Sequence, residues 1–248
     1  MKSKQVRKSE NLNIELVDGK GTLYLVATPI GNLDDMSIRA ISTLKNVQLI
    51  LAEDTRKFSI LAARFDIKTP RQSYFEHNEK SRILPTINLL LTGENVALVS
   101  DAGTPGIADP GYLLVNACWE NGIRVSPIPG ACAAIAALAV SGFPSHRFIF
   151  EGFLPIKEGK RKSALLEILA RETTTICYES PYRIVKTLYA IEAIDSLRII
   201  FLIREISKLF EETFRSTAAE IRGNLEKRGS VKGEFALVFG ENGKKRKF

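Results

Sequence analysis

Cysteine and histidine are scarce: three cysteines and two histidines stand in 248 residues. Cys118, Cys132 and Cys177 are scattered through apolar surroundings with no close Cys or His partner, so neither a disulfide framework nor a metal site is expected, and a reducing compartment is the natural reading. Long apolar runs are missing as well. The longest run of small apolar residues, Ala131 to Val140, is too short to span a bilayer. The charged start MKSKQVRKSENLNIE leads into no apolar stretch of signal-peptide length, and a cytoplasmic protein is expected. Also absent are G-x-G-x-x-G and G-x-x-x-x-G-K-[ST], which disfavours the usual dinucleotide fingerprint and the P-loop.

The formal net charge is +7, a balance that invites a polyanionic partner, but its distribution matters more than its sum. Lys2, Lys4, Arg7 and Lys8 at one end and Lys244, Lys245, Arg246 and Lys247 at the other are offset there only by Glu10 and Glu241. Without those ten side chains the net charge falls to +1, so the rest of the chain is nearly neutral. Such tails can hold phosphates electrostatically, but solvated chain ends are the commoner case. Overall charge therefore does not decide the partner.

What is present is alternation. From Gly21 onward, strand-like and helix-like stretches follow one another: TLYLVAT and SIRAISTLKN, VQLILAED and TRKFSILAARF, RQSYFE and NEKSRILPTINLLL, NVALVSD and GYLLVNACWENG, IRVSPIP and GACAAIAALAV. Strict alternation predicts an α/β fold with a parallel sheet covered by helices on both faces. Strands such as LYLVA and VALVS are apolar without a polar side, as burial on both faces requires. Near Phe143 to Arg147 the pattern resets, and a second α/β series runs to GEFALVFG; the closeness of FLIRE and EETFR predicts an antiparallel pair and hence a mixed sheet. The expected organisation is a basic tail over 1–20, an N-terminal domain over 21–143, a C-terminal domain over 144–240, and a second tail over 241–248.

Ligands of open parallel sheets bind beyond the carboxyl ends of the strands. That rule singles out Thr28-Pro29-Ile30-Gly31-Asn32, the segment from Ser100 to Gly111, and Pro127 to Ala134. TPIGN by itself is a turn. The Gly- and Pro-dense segment after the fourth strand is more specific: Asp101 stands at a strand end, followed by small residues that let backbone approach a flat ligand, while Asp109 is a candidate cap for the next helix. The helix from Pro129-Gly130-Ala131 is built of very small residues, suited either to close packing or to a cofactor. Glu53-Asp54-Thr55-Arg56 and Glu76-His77-Asn78-Glu79 end the second and third strands; Asp54, Thr55 and Asn78 are candidate helix caps, but Arg56, Glu76 and His77 are not needed for capping. In the second half, Glu179-Ser180-Pro181-Tyr182-Arg183 follows a buried strand, with Ser180 a candidate cap, and Lys157, Lys160, Arg161 and Lys162 form a compact basic cluster that suits either a phosphate backbone or a solvated helix start.

Taken in order, LYLVATPIGNLDD, LILAEDTR, FEHNE, VALVSDAGTPGIADPG, PIPGACA, FEGFLP, YESPYR and KGEFALV closely resemble the branch of the tetrapyrrole-methylase-like family that acts on ribosomal RNA of the small subunit. The likeness runs from Gly21 to Gly240 and omits the tails. The sequence departs from the family pattern at Gly106 and Ala108, where Leu and Ser are usual, and at Ala131-Cys132-Ala133, where Pro-Ser-Ala is usual.

The resemblance implies two α/β domains of the class III methyltransferase type, a homodimer, and S-adenosylmethionine held in the cleft between the domains. It implies 2′-O-methylation of a cytidine ribose in the decoding centre of 16S ribosomal RNA, within the small ribosomal subunit. Carried over by motif, the cofactor contacts are Pro29, Gly31, Asp101, Ala102, Gly103, Thr104, Ile107, Pro129, Gly130 and Ala131. A ribose hydroxyl is a poor nucleophile, so positioning and a proton acceptor are required; Asp54, Glu76 and His77 are the candidates, with Arg56 placed to hold a phosphate. Two alternatives stay open: methylation of a tetrapyrrole carbon on the same architecture, and a non-catalytic RNA-binding or assembly protein.

Overall fold

In a computed structural model the described residues are 19–227 and 231–241, and both basic tails lie almost wholly outside them. Five strands, β1 (Thr22–Val26), β2 (Leu49–Ala52), β3 (Arg71–Ser73), β4 (Val96–Val99) and β5 (Arg124–Ile128), form one sheet in the order β3-β2-β4-β1-β5, parallel throughout. The helices between them are α1 (Ile38–Asn46), α2 (Thr55–Arg64), α3 (Glu79–Leu91) and α4 (Tyr112–Glu120).

Alternation along each strand decides which helices cover which face. Tyr24, Val26, Ile50, Ala52, Ala97 and Val99 pack with Ala40 and Leu44 of α1 and Phe58 and Leu61 of α2. Leu23, Leu51, Val96 and Leu98 pack with Ile87 and Leu90 of α3 and Leu114 and Cys118 of α4. With apolar side chains buried on both faces, the hydrophobic effect holds the sheet from two sides. Because β1 feeds α1 on one face and β4, its neighbour, feeds α4 on the other, a crevice opens between their carboxyl ends, the usual ligand position of such sheets.

The second sheet contains β6 (Phe148–Phe153), β7 (Thr174–Glu179), β8 (Ile199–Arg204), β9 (Glu212–Thr217) and β10 (Phe235–Phe239), in the order β6-β7-β10-β8-β9. It is mixed, as its sequence predicts: β6 and β7 are parallel, and β8 pairs antiparallel with β9 from Ile199↔Thr217 to Arg204↔Glu212. Its three helices, α6 (Glu158–Ala170), α7 (Ile184–Ile194) and α8 (Ala218–Glu226), all cover one face through residues such as Leu165, Leu188 and Ile221.

The opposite face, with Ile176, Phe201, Ile203, Ala236 and Val238, is covered by the helix that follows β5. That helix, α5 (Ala133–Ser141), belongs by sequence to the first series, yet Ala134, Ala137 and Leu138 lie on the second sheet. Its small side chains are what allow so close an approach, so α5 joins the two sheets rather than completing the first. Among the described residues, no helix is long and apolar enough to cross a membrane.

Candidate active site

The loops after β1 and β4 are tied to each other. The Thr28 N–H donates to the Gly103 carbonyl at 2.8 Å, the Gly103 N–H returns to Thr28 O at 3.1 Å, and the Thr28 hydroxyl donates to Ser100 O at 3.2 Å. Gly103 takes φ +90°, a conformation open to glycine at little cost. The Thr104 hydroxyl donates to Ala131 O at 3.3 Å, which fastens this loop to the start of α5.

Between these loops and the second sheet lies a cavity of about 260 Å³. Ile30, Asp101 to Thr104, Ile107 to Asp109, Cys132 and Ala133 line it from the first side, and Phe153, Tyr178, Ile206 and Phe235 from the second. Tyr178 braces the seam, its hydroxyl accepting the Ala134 N–H at 2.9 Å while its ring meets Phe150 and Phe153 edge-on. Burial pushes its phenol up to about 12.

Carboxylates dominate the polar wall. Asp101 Oδ2 accepts from Lys57 Nζ at 2.6 Å and its Oδ1 from the Asp54 N–H at 3.0 Å, while the Asp101 N–H donates to Glu53 at 3.2 Å. Asp109 has its carboxyl raised to about 6, chiefly by burial and further by Glu53. It does not cap α4 as the sequence suggests: the residue at that cap is Gly111, and no side chain bonds there. A second hollow of about 330 Å³ opens along the same segment, lined by Glu76, Glu79 and Tyr112 together with Ala108 and Asp109.

The residues singled out by sequence distribute unevenly. Asp101, Ala102, Gly103, Thr104 and Ile107 line the cavity, as does Ile30 between Pro29 and Gly31. Gly31 itself faces the loop between β8 and β9, where an added Cβ would lie 2.8 Å from Ile206 O. Gly130 packs on Ala27, with 2.9 Å left for a Cβ, and Pro129 is exposed. Asp54 caps α2 through the Arg56 N–H at 2.8 Å and holds the Arg56 guanidinium at 3.0 Å, so its carboxyl drops to about 2. Glu76 lines the second hollow, whereas His77 is exposed with its ring edge-on to Phe75.

Other sequence readings are corrected. Asn78 does not cap α3; its side chain accepts the Phe75 N–H and donates to Ser73. Ser180 leaves α7 uncapped and accepts instead from Arg183. Arg161 is buried and donates to the Pro155 and Ile156 carbonyls, so only the lysines of that cluster remain exposed. Glu53, Lys57 and Tyr178 are cavity residues as well; the sequence reading placed Glu53 in the cluster at the β2 end and Tyr178 in YESPYR without giving either a role, and it did not single out Lys57, three residues after Asp54. No group of three or more metal-ligating side chains converges among the described residues.

The chain is 48% identical over 219 residues to the ribosomal RNA small subunit methyltransferase I of Thermotoga maritima, covering 88% of this chain and 97% of that one. It is 47% identical over 228 residues to the protein of the same name from Halalkalibacterium halodurans, covering 92% and 78%. Its fold matches the crystal structure of uroporphyrin-III C-methyl transferase from Thermus thermophilus complexed with S-adenyl homocysteine, with a TM-score of 0.59 at 18% identity over 90% of this chain and 98% of that one. Residues 22–222 match the family profile of the Tetrapyrrole (Corrin/Porphyrin) Methylases, and the chain belongs to that family of enzymes.

Proposed function

We propose that this chain transfers a methyl group from S-adenosylmethionine to the 2′-hydroxyl of a cytidine ribose in the decoding centre of 16S ribosomal RNA. The observation that carries this reading is the cavity between the two sheets, walled by the segments through which the chain resembles ribosomal RNA methyltransferases almost half identical to it. The reading includes two domains divided near Phe143, action on the small ribosomal subunit in the cytoplasm, and a homodimer.

The residues present fit the donor. Ile30, Ile107, Phe153 and Phe235 offer apolar surface to a flat ring, and the backbone around Gly103 can approach it closely. Asp101 and Glu53 suit a ligand that is positively charged and carries ribose hydroxyls. Pro29, Gly31, Pro129, Gly130 and Ala131 would set the backbone course of the flanking turns, with Ala102 and Thr104 facing the ligand. When bound, S-adenosylmethionine supplies an electrophilic methyl carbon on a cationic sulfur.

The protein's work is then positioning and proton removal. Asp54 is a poor proton acceptor, because Arg56 holds its carboxyl at about 2; Glu76 and His77 are the other candidates. Glu76 has the better position, on the wall of the second hollow. Arg56, nine-tenths exposed at its side chain and next in sequence to the cavity residue Lys57, is the proposed contact for phosphate.

Labelled S-adenosylmethionine incubated with small subunits lacking the modification tests the reading. Label is expected in one cytidine 2′-O-methyl group of 16S RNA. Label only in a tetrapyrrole precursor would instead favour carbon methylation, and absence of donor binding in calorimetry would favour a non-catalytic RNA-binding role.

A further inference from the structure

The two hollows touch at one place. Ala108 and Asp109 line both, and among the described residues Asp109 is the only ionisable side chain that does so. Chain geometry is unusual at this partition: Ala108 takes φ +65°, flanked by Gly106 at +82° and Gly111 at +147°. A non-glycine residue in the left-handed region is uncommon and is kept only where its surroundings enforce it.

We infer that the second hollow seats the acceptor nucleoside, with Tyr112 as a stacking platform, and that Asp109 at the partition takes the proton from its ribose hydroxyl. The inference rests on the function proposed above. Two reactants held in adjoining hollows react where the hollows meet, and a general base has to stand within hydrogen-bond reach of the hydroxyl there. Asp54 and His77 line neither hollow, and Glu76 lines only the second. Tyr112 is 72% exposed while forming part of the hollow, the disposition of an aromatic ring that receives a base.

The step balances without another reactant. The ribose oxygen bonds to the methyl carbon of the sulfonium donor, the carbon–sulfur bond breaks with its electron pair remaining on sulfur, and the O–H proton passes to the Asp109 carboxylate. The surroundings favour a carboxylate of increased basicity. Burial raises Asp109 to about 6, Glu53 and Asp101 add to the rise, and a hydrogen bond with Ser100 opposes it. Glu76 and Glu79 stand across the second hollow, and Lys57 and Tyr178 share the wall of the first.

Single-turnover methylation of small subunits by the full-length protein, followed from pH 5 to 8, tests the inference. The wild-type rate should rise with pH and level off above about 6. Asp109→Asn should lose roughly 100- to 10,000-fold in rate together with that inflection, while calorimetry finds S-adenosylmethionine affinity within about twofold of wild type, the limit a proton-transfer role sets. Tyr112→Ala should raise KM for the subunit roughly tenfold and leave the pH profile in place. In the free protein, carbon-13 NMR should find the Asp109 carboxyl titrating near 6.

An Asp109→Asn protein with undiminished rate and inflection would overturn the assignment, as would a carboxyl titrating in the ordinary aspartate range. Donor affinity falling in step with rate would make Asp109 a donor-holding group and sink it equally. An unchanged KM in Tyr112→Ala would remove the second hollow as the acceptor's seat. If the wild type binds donor but labels no RNA, the function proposed above fails and takes this inference with it, an outcome the wild-type arm alone identifies.

Discussion

The Glu179 carboxylate, with no exposed side-chain surface, lies 2.7 Å from Nη2 of Arg183, four residues further along the chain. It also accepts from the Thr187 hydroxyl at 2.7 Å and the Ser180 N–H at 2.8 Å. The group thus locks the end of β7 to the start of α7 at the wall of the first cavity. Removing one partner leaves a buried charge uncompensated, which costs about 3–5 kcal/mol. Arg183→Ala should therefore lower Tm by roughly 10 °C in calorimetry. A fall of only one or two degrees would mean that the carboxylate is solvated there.

Gly31 separates two roles that its motif leaves joined. A Cβ there would lie 2.4 Å from Lys208 Cγ and 2.8 Å from Ile206 O, and the second of these is backbone that cannot turn aside. Gly31→Ala should destabilise the chain by about 1–3 kcal/mol through overpacking in denaturant titration, before any ligand is added. Gly223, inside α8 with nothing within 4 Å of an added Cβ, provides the contrast. Gly223→Ala should stabilise by about 0.5–1 kcal/mol. A stable Gly31→Ala protein that had lost only donor affinity would assign Gly31 to the ligand instead of the seam.

Much of the architecture could be read from alternation, because burial on both faces writes itself into strands such as Leu23 to Val26 and Val96 to Val99. What could not be read was sharing between the units. The sequence attaches α5 to the first sheet by order alone, and nothing local marks that Ala134 and Ala137 cover Phe201 and Val238. Capping signals were ambiguous for a related reason. Asp54 and Asn78 occupy equivalent positions before helices, yet only Asp54 caps, since Asn78 finds Phe75 and Ser73 within reach. The cavity's first wall followed from the motif, whereas Tyr178 and Phe235 reach it only through the packing of the second sheet.

Asp101 is bonded in three directions at the cavity wall, to Lys57, Asp54 and Glu53. Its ion pair with Lys57 is two-thirds exposed on the lysine side, so Lys57→Ala should alter stability by less than about 1 kcal/mol. Asp101→Ala removes a charged acceptor from the proposed donor site. Calorimetry should then show S-adenosylmethionine affinity reduced by roughly tenfold or more, as expected for loss of a charge-assisted bond. Equal affinity in the two variants would show that the carboxylate faces no ligand.

Asp109 ties the proposed chemistry to stability. Its folded carboxyl titrates at about 6, against about 3.9 in an unfolded chain, so between those values the folded state binds more protons than the unfolded state. Its contribution is therefore fully present below pH ~4, is lost as pH rises toward ~6, and changes little above that. Asp109→Asn has no such proton to lose. At pH 7 it should be more stable than wild type by on the order of 1 kcal/mol, the partial exposure of the carboxyl reducing the full effect of the shift, with the two proteins converging near pH 4 in urea titrations. A constant difference across pH 4 to 7 would show that the carboxyl is not raised by its surroundings, and would leave the strained segment around Ala108 without the stability cost that its proposed role in proton transfer entails.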